Sequence, residues 1–416
     1  MISNCSISRE LTAQACLRSF LLLLFWIFSN LCLAQMNAES RSSKHHATAR
    51  PTLGTGAAFA PNGDLWIAGV EQGRLFLQTT PNNAESWLPK RWIDTGNDKI
   101  AAEGELRPKL AFGLNGQVVI AYTQPLAKPY TGEIRMLRSS DGGQTFSLPF
   151  TVHQDRQPIT HRFESILFDQ AGNLYVTWID KRAQELAKQT GKTDYRGAAI
   201  YYTVSKDGGA SFADDRKLAD YSCECCRIAL SENAQGQVAA LWRHVFLSST
   251  GEQIRDHGFA YLPLSGDVES DKQPARATFD DWQLNACPHH GPGLAAYSAG
   301  FHAVWFGMKA GKMGVRYGRL NVRGEPSSEP LNLPDERAEH ADVQAIGERV
   351  AIVWRSFDGQ QSNLRVWISD DAGCHFVLKT LASSVDENDH PRLVSNQRGA
   401  WVVWRTEKVI HVYQIL

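Results

Sequence analysis

The chain has little cysteine, no long run of one charge and, beyond its first 33 residues, no long apolar stretch. Eight cysteines among 416 residues are too few for a disulfide-dense scaffold. The charges balance, 43 Lys and Arg against 44 Asp and Glu, which excludes a broad basic surface and with it nucleic acid as a partner. No Gly-rich phosphate loop follows a strand-like run and no Gly-x-Ser-x-Gly elbow occurs, so nucleotide and α/β-hydrolase chemistry are not expected. What is abundant is the material of a core: hydrophobic residues make up 43% of the chain, with 12 Trp among them.

The N-terminus holds the one long apolar segment. Arg9 and Arg18 precede a run from Ser19 to Leu33, and Cys32-Leu33-Ala34 offers a small-residue cleavage site before Gln35. Residues 1–34 are therefore expected to be a signal peptide and the protein to be exported, periplasmic or secreted. The run is short for a membrane span, so no transmembrane span is expected after signal removal. An uncleaved anchor is the alternative; Ser29-Asn30-Leu31 is a poor lipobox. Cys5, Cys16 and Cys32 would leave with the signal, and an oxidising compartment would permit disulfides among the rest. Residues 35–53 read as a linker, of which 45–53 can supply a closing strand.

From residue 54 to 416 the sequence repeats. Short turns recur at Pro61-Asn62-Gly63, Leu114-Asn115-Gly116, Gln170-Ala171-Gly172, Ala234-Gln235-Gly236, Ser298-Ala299-Gly300, Ala345-Ile346-Gly347 and Gln397-Arg398-Gly399. Each lies between two alternating runs, as in a hairpin, and the second run ends on an aromatic: Trp66, Tyr122, Trp178, Trp242, Trp305, Trp354 or Trp404. The spacing, roughly 50 residues, suits four-stranded propeller blades. This predicts an all-β, six- or seven-bladed β-propeller.

A second signature rides on the repeat: Ser139-x-Asp141-x-Gly143-x-Thr145-Phe146, Ser205-x-Asp207-x-Gly209-x-Ser211-Phe212 and Ser369-x-Asp371-x-Gly373-x-His375-Phe376. A worn copy is Thr80-x-Asn82-x-Ala84-x-Ser86-Trp87. Ser and Asp close such a turn on backbone groups, and Gly permits a positive φ. The pattern resembles the Asp-box (BNR repeat) of sialidase-like β-propellers. Cys223-Glu224-Cys225-Cys226-Arg227, Trp242-Arg243-His244-Val245-Phe246, Arg255-Asp256-His257, Asp280-Asp281-Trp282 and Cys287-Pro288-His289-His290-Gly291-Pro292 resemble the marks of a bacterial branch of that family.

In a propeller the first strand of each blade lines the channel and the second returns to the same mouth. Residues just before first strands and just after second strands therefore share one face. Along this chain those positions collect Arg107, Lys109, His161, Arg162, the Cys223 to Arg227 segment, Cys287 to His290, His340, Asp342, His390 and Arg392, with Asp180, Arg243, His244 and Arg355 from strand ends. Arg255-Asp256-His257 overhangs the same face, and the insertion Ala183 to Tyr195 can form a short helical lid there. Converging polar groups at the end of an apolar ring make this mouth the expected functional site.

The mouth admits three readings. The resemblance implies exo-sialidase-type glycoside hydrolysis, with Arg107, Arg162, Arg243 and Arg392 (Arg355 beside them) clamping the carboxylate of a glycan or small anionic ligand and Asp180 as general acid. The sequence departs from sialidases in offering Arg107-Pro108-Lys109 for their Arg-Ile-Pro segment. Nor does any spacing pair Tyr122 or Tyr195 with Glu103, Glu105 or Glu164 as nucleophile and activator. The second reading is a copper or zinc site built from Cys223, Cys225, Cys226, Cys287, His289 and His290, with His244 and His257 as further ligands and His161, His340 and His390 in support. Disulfides, for instance Cys226 with Cys287, are the competing use of the same sulfurs. The third reading is a binding propeller without catalysis.

Overall fold

The computed structural model describes residues 52–81, 86–265, 273–284, 286 and 288–416. The expected signal peptide, the linker up to residue 51, Cys287 and part of the worn Asn82/Ala84 turn lie outside the described residues. The chain divides after Arg50, and every described residue belongs to the second unit, Pro51 to Leu416.

That unit is a seven-bladed β-propeller. Six blades are four-stranded antiparallel sheets, and the seventh has three strands among the described residues. The innermost strands are Thr55–Phe59, Lys109–Phe112, His161–Phe168, Ala229–Glu232, Gly293–Tyr297, Ala338–Ile346 and Arg392–Asn396. Each touches the innermost strand of the next blade, and the seventh touches the first, so the ring is closed. The second strands Leu174–Asp180, Val238–Arg243 and Gly399–Arg405 are buried along their whole length. Sandwiched between neighbouring blades, they need apolar residues on both faces, which is why they read as continuous hydrophobic runs.

Tryptophan and tyrosine at the ends of second strands are anchored by a device that periodicity does not reveal. In three blades an aspartate from the connecting loop accepts from the aromatic and faces an arginine on the third strand. The sets are Asp98 with Tyr122 (2.7 Å) and Arg135 (2.8 Å), Asp280 with Trp305 (3.1 Å) and Arg316 (2.9 Å), and Asp335 with Trp354 (2.9 Å) and Arg365 (3.4 Å). A polar tip on a buried ring requires a partner, and the ionised acid supplies one to both side chains.

The Ser-x-Asp-x-Gly turns all close alike. Gly143 N–H donates to Ser139 Oγ at 2.8 Å, Gly209 N–H to Ser205 Oγ at 2.8 Å and Gly373 N–H to Ser369 Oγ at 2.9 Å. Each aspartate accepts from the backbone four residues on, as Asp371 does from His375 N–H at 2.8 Å. The insertion after Asp180 forms the only α-helix among the described residues, α1 (Arg182–Gln189). No helix among the described residues is long and apolar enough to cross a membrane.

Candidate functional site

The first strands enclose a cavity of about 380 Å³ along the axis. Arg107, Lys109, Arg227, Asp342 and Arg392 lie where those strands begin, and Leu110, Ile166, Ile228, Leu294, Val343 and Val394 form walls further in. A cationic rim over an apolar shaft is thus set by strand position. Two irregularities modify the rim. Phe163 and His340 have positive φ (59° and 53°), and the pairing shifts between Glu339 and Asp342, so blade 6 bulges where it meets the mouth.

Most of the arginines expected to clamp a carboxylate already hold partners inside the protein. Arg107 grips Asp389 through both nitrogens, at 2.9 and 3.0 Å, with both side chains 3% exposed. Arg392 is paired with Glu105. Arg243 donates to the carbonyls of Arg255 (2.9 Å), Phe306 (2.5 Å) and His290 (3.4 Å), and Arg355 to Glu339 at 3.0 Å. Arg162 differs: it is half-buried, its Nε has no hydrogen-bond partner, and its guanidinium stacks 5.1 Å above the Phe163 ring.

Asp180 does not face the cavity. It is fully buried and accepts from Trp178 Nε1 (2.7 Å), Arg182 N (2.8 Å) and Arg182 Nη2 (2.7 Å), so it anchors α1. The tyrosines are also committed, Tyr122 to Asp98 and Tyr195 to Asp220 (2.6 Å), and burial first, then those carboxylates, raises both phenols. Neither forms a nucleophile pair with Glu103, Glu105 or Glu164.

The two cysteine- and histidine-bearing segments do pack together. Arg227 Nε donates to Pro292 O at 2.7 Å, and a Cβ on Gly291 would lie 2.3 Å from Arg227 Cβ, so these backbones touch. Cys223 and Cys226 are buried thiols with Sγ atoms 3.4 Å apart. Donation from Cys226 lowers Cys223 to about 6, against the effect of burial, while that bond and burial push Cys226 well up. Cys225 is disulfide-bonded, so its sulfur is not a thiolate ligand in this state. His289 is exposed with φ 57°. His244 is packed against Phe246 (4.4 Å between rings), and His257 is buried against Thr278 at 3.2 Å. The eight residues expected to form one metal set therefore include a thiol pair, a half-cystine, an exposed imidazole and two imidazoles used in blade 4 packing.

His290 joins a different group. Its ring stacks on His340 (4.2 Å between centroids, 8° between planes), and His340 stacks on His390 (3.3 Å, 11°). Glu105 lies beside this column, with Oε1 3.4 Å from His390 Nδ1 and 4.0 Å from His340 Nδ1. Burial lowers all three imidazoles, His290 to about 3, while Glu105 opposes the shift at His390. Burial alone would raise Glu105, but Arg227, His390 and Arg107 outweigh it and hold the carboxyl well below its usual range. His340, His390 and Glu105 all precede or begin first strands. Strand position therefore points to them, but nothing in the sequence singles out Glu105 from Glu103, or ranks these histidines above His289.

No family model matches the chain, and no curated protein matches it. Solved structures do. An ulvan lyase of a polysaccharide lyase family, bound to GlcA(1-4)Rha3S, superposes with a TM-score of 0.55 at 13% identity, over 86% of this chain and 91% of its own. Polysaccharide lyase Uly1 gives 0.54 at 8% identity, over 89% and 94%. An α-L-arabinanase from Penicillium chrysogenum, complexed with arabinobiose, gives 0.48 at 13% identity, over 73% and 91%. At these identities the likeness is one of fold: a seven-bladed β-propeller whose structural neighbours include glycan-active propellers.

Proposed function

We propose that the protein acts on an acidic glycan at the channel mouth. The observation that carries this reading is the mouth of the cavity, where Arg107, Lys109, Arg227 and Arg392 are gathered beside Asp342, their internal partners being Asp389, Glu164, Asp342 and Glu105. Arg162, near the start of the blade 3 first strand and outside the cavity lining, makes no salt bridge among the described residues. Such a rim suits a carboxylate or sulfate on a sugar, whose apolar ring face can rest on the aliphatic wall. The glycan-cleaving activities of the neighbouring folds support it by analogy.

Exo-sialidase hydrolysis is the form of this reading with least support, because the rim arginines are paired and the tyrosines are held elsewhere. The test is to incubate the protein with uronate-, sulfate- and sialate-bearing oligosaccharides, following reducing ends and ultraviolet-absorbing unsaturated uronates. Reducing ends alone indicate hydrolysis, unsaturated ends a lyase, and calorimetric binding without either a lectin-like role. No binding to any acidic oligosaccharide would defeat the proposal.

Metal capture by sulfur is the second reading, favoured by the 3.4 Å approach of Cys223 and Cys226. It requires reduction of the Cys225 disulfide to assemble the full sulfur set, so copper or zinc uptake should rise after reductant. Export belongs to the same proposal and is supported by that disulfide; N-terminal sequencing of the mature protein should begin at Gln35.

A further inference from the structure

We propose that Glu105, His340 and His390 form a binding site for one divalent first-row transition-metal ion of the zinc class, where blades 2, 6 and 7 meet. The three ligand atoms lie within 4.8 Å of one another. Glu105 Oε1, His340 Nδ1 and His390 Nδ1 are buried without a well-aligned hydrogen bond, Glu105 Oε1 and His390 Nδ1 facing each other at 3.4 Å. Buried polar atoms so poorly aligned with one another carry a penalty that a ligand shared by all three would relieve. Glu105 is 7% exposed and His340 8%, so water reaches neither freely.

The distances fit a cation. Two ligands about 2.1 Å from a tetrahedral zinc ion are about 3.4 Å apart. The Glu105–His390 separation is 3.4 Å and the Glu105–His340 separation is 4.0 Å; because the two rings stack 3.3 Å apart, they must turn out of that stack for their in-plane lone pairs to meet on one ion. The other carboxylate oxygen of Glu105 is held by Arg392, which leaves Oε1 to point at the histidines. Two imidazoles and one carboxylate form a mixed N/O set that borderline divalent ions favour. The alternative grouping of His290, Glu339 and His340 is weaker, because the Glu339 side chain is 31% exposed.

This site shares no residue with the thiol pair and does not depend on the glycan reading, since metal titration reads it without any sugar. The purified full chain is stripped with chelator, then titrated with zinc or cobalt(II). One ion per chain is expected, with cobalt showing visible ligand-field bands typical of N/O donors and no sulfur-to-cobalt charge transfer. His340→Asn with His390→Asn should weaken zinc by more than the tenfold to hundredfold that loss of a mere supporting partner costs. Cys223→Ser with Cys226→Ser should leave it unchanged. Absence of stoichiometric zinc, a thiolate charge-transfer band, or undiminished binding in the histidine variant would each overturn the proposal. Should the histidine variant not fold, the cobalt spectrum of the unmodified protein decides alone.

Discussion

Arg107 and Asp389 meet as a fully buried, two-pronged ion pair across 282 residues of sequence, joining the approach to blade 2 with the approach to blade 7. Asp389 Oδ2 also accepts from Thr55 N–H at 3.0 Å, which brings in the first strand of blade 1. Removing one member leaves a buried charge without its counterion. Asp389→Ala should therefore cost about 3–5 kcal/mol, read as a lowered denaturation midpoint. A loss within about 1 kcal/mol, the worth of an exposed pair, would mean that the pair is not what holds this part of the ring.

Arg162 should behave in the opposite way. Its guanidinium makes no salt bridge among the described residues, so Arg162→Ala should leave the melting temperature nearly unchanged. Affinity for an acidic oligosaccharide should fall by about ten- to a hundredfold, the loss of one charge-assisted contact. Calorimetry and thermal melting on the same preparations separate the two effects.

Glycine is required at the turn of the last Ser-x-Asp-x-Gly copy for two separable reasons. Gly373 has φ 80°, and a Cβ there would lie 1.8 Å from Tyr317 Oη; Gly311 has φ 76° but nothing within 4 Å. Gly311→Ala should cost about 1 kcal/mol for the left-handed backbone alone. Gly373→Ala should exceed it by a further ~1–3 kcal/mol of overpacking, measured by urea denaturation.

Acid should weaken the fold through histidines held neutral in the interior. Burial, with Arg319 adding to it, lowers His302 to about 4, and burial lowers His244 to about 3. A base with a depressed native pKa takes up its proton first in the unfolded chain. The stabilisation is therefore complete above about pH 6.5 and is lost as pH falls from there toward those values. Each such histidine should remove about 1.5 kcal/mol between roughly pH 6.5 and 5. His302→Gln should make the decline shallower by one proton's worth.

Thiol reactivity should follow burial. Cys374 is exposed, whereas Cys223 and Cys226 are buried. A maleimide should modify Cys374 in the native protein, and the other two only after denaturation, with Cys225 requiring reductant as well. Peptide mass mapping before and after urea reads all four.

The ring and its polarity were legible because hairpin turns, strand-end aromatics and first-strand starts are periodic features, and periodicity survives in one dimension. The face carrying Arg107, His340 and His390 followed from strand position alone. What each group does there did not follow. Whether Arg107 and Arg392 are open to a ligand depends on Asp389 and Glu105, which approach them only when the circle closes. Six or seven blades stayed open because the last unit lacks an outer strand in the sequence, and the described residues show three strands there. Cysteine and histidine adjacency in sequence drew attention to His289, which is exposed. The column of His290, His340 and His390 draws one ring from each of three consecutive blades, and no local pattern announces it.

The clasp between the second and seventh blades also sets when the mouth comes into being. Arg107 leaves the ribosome long before Asp389, so for most of synthesis a charge destined for the interior lacks its counterpart. A chain halted before residue 389 would possess nearly every blade and yet no finished rim. Completion of the rim is thereby tied to completion of the polypeptide.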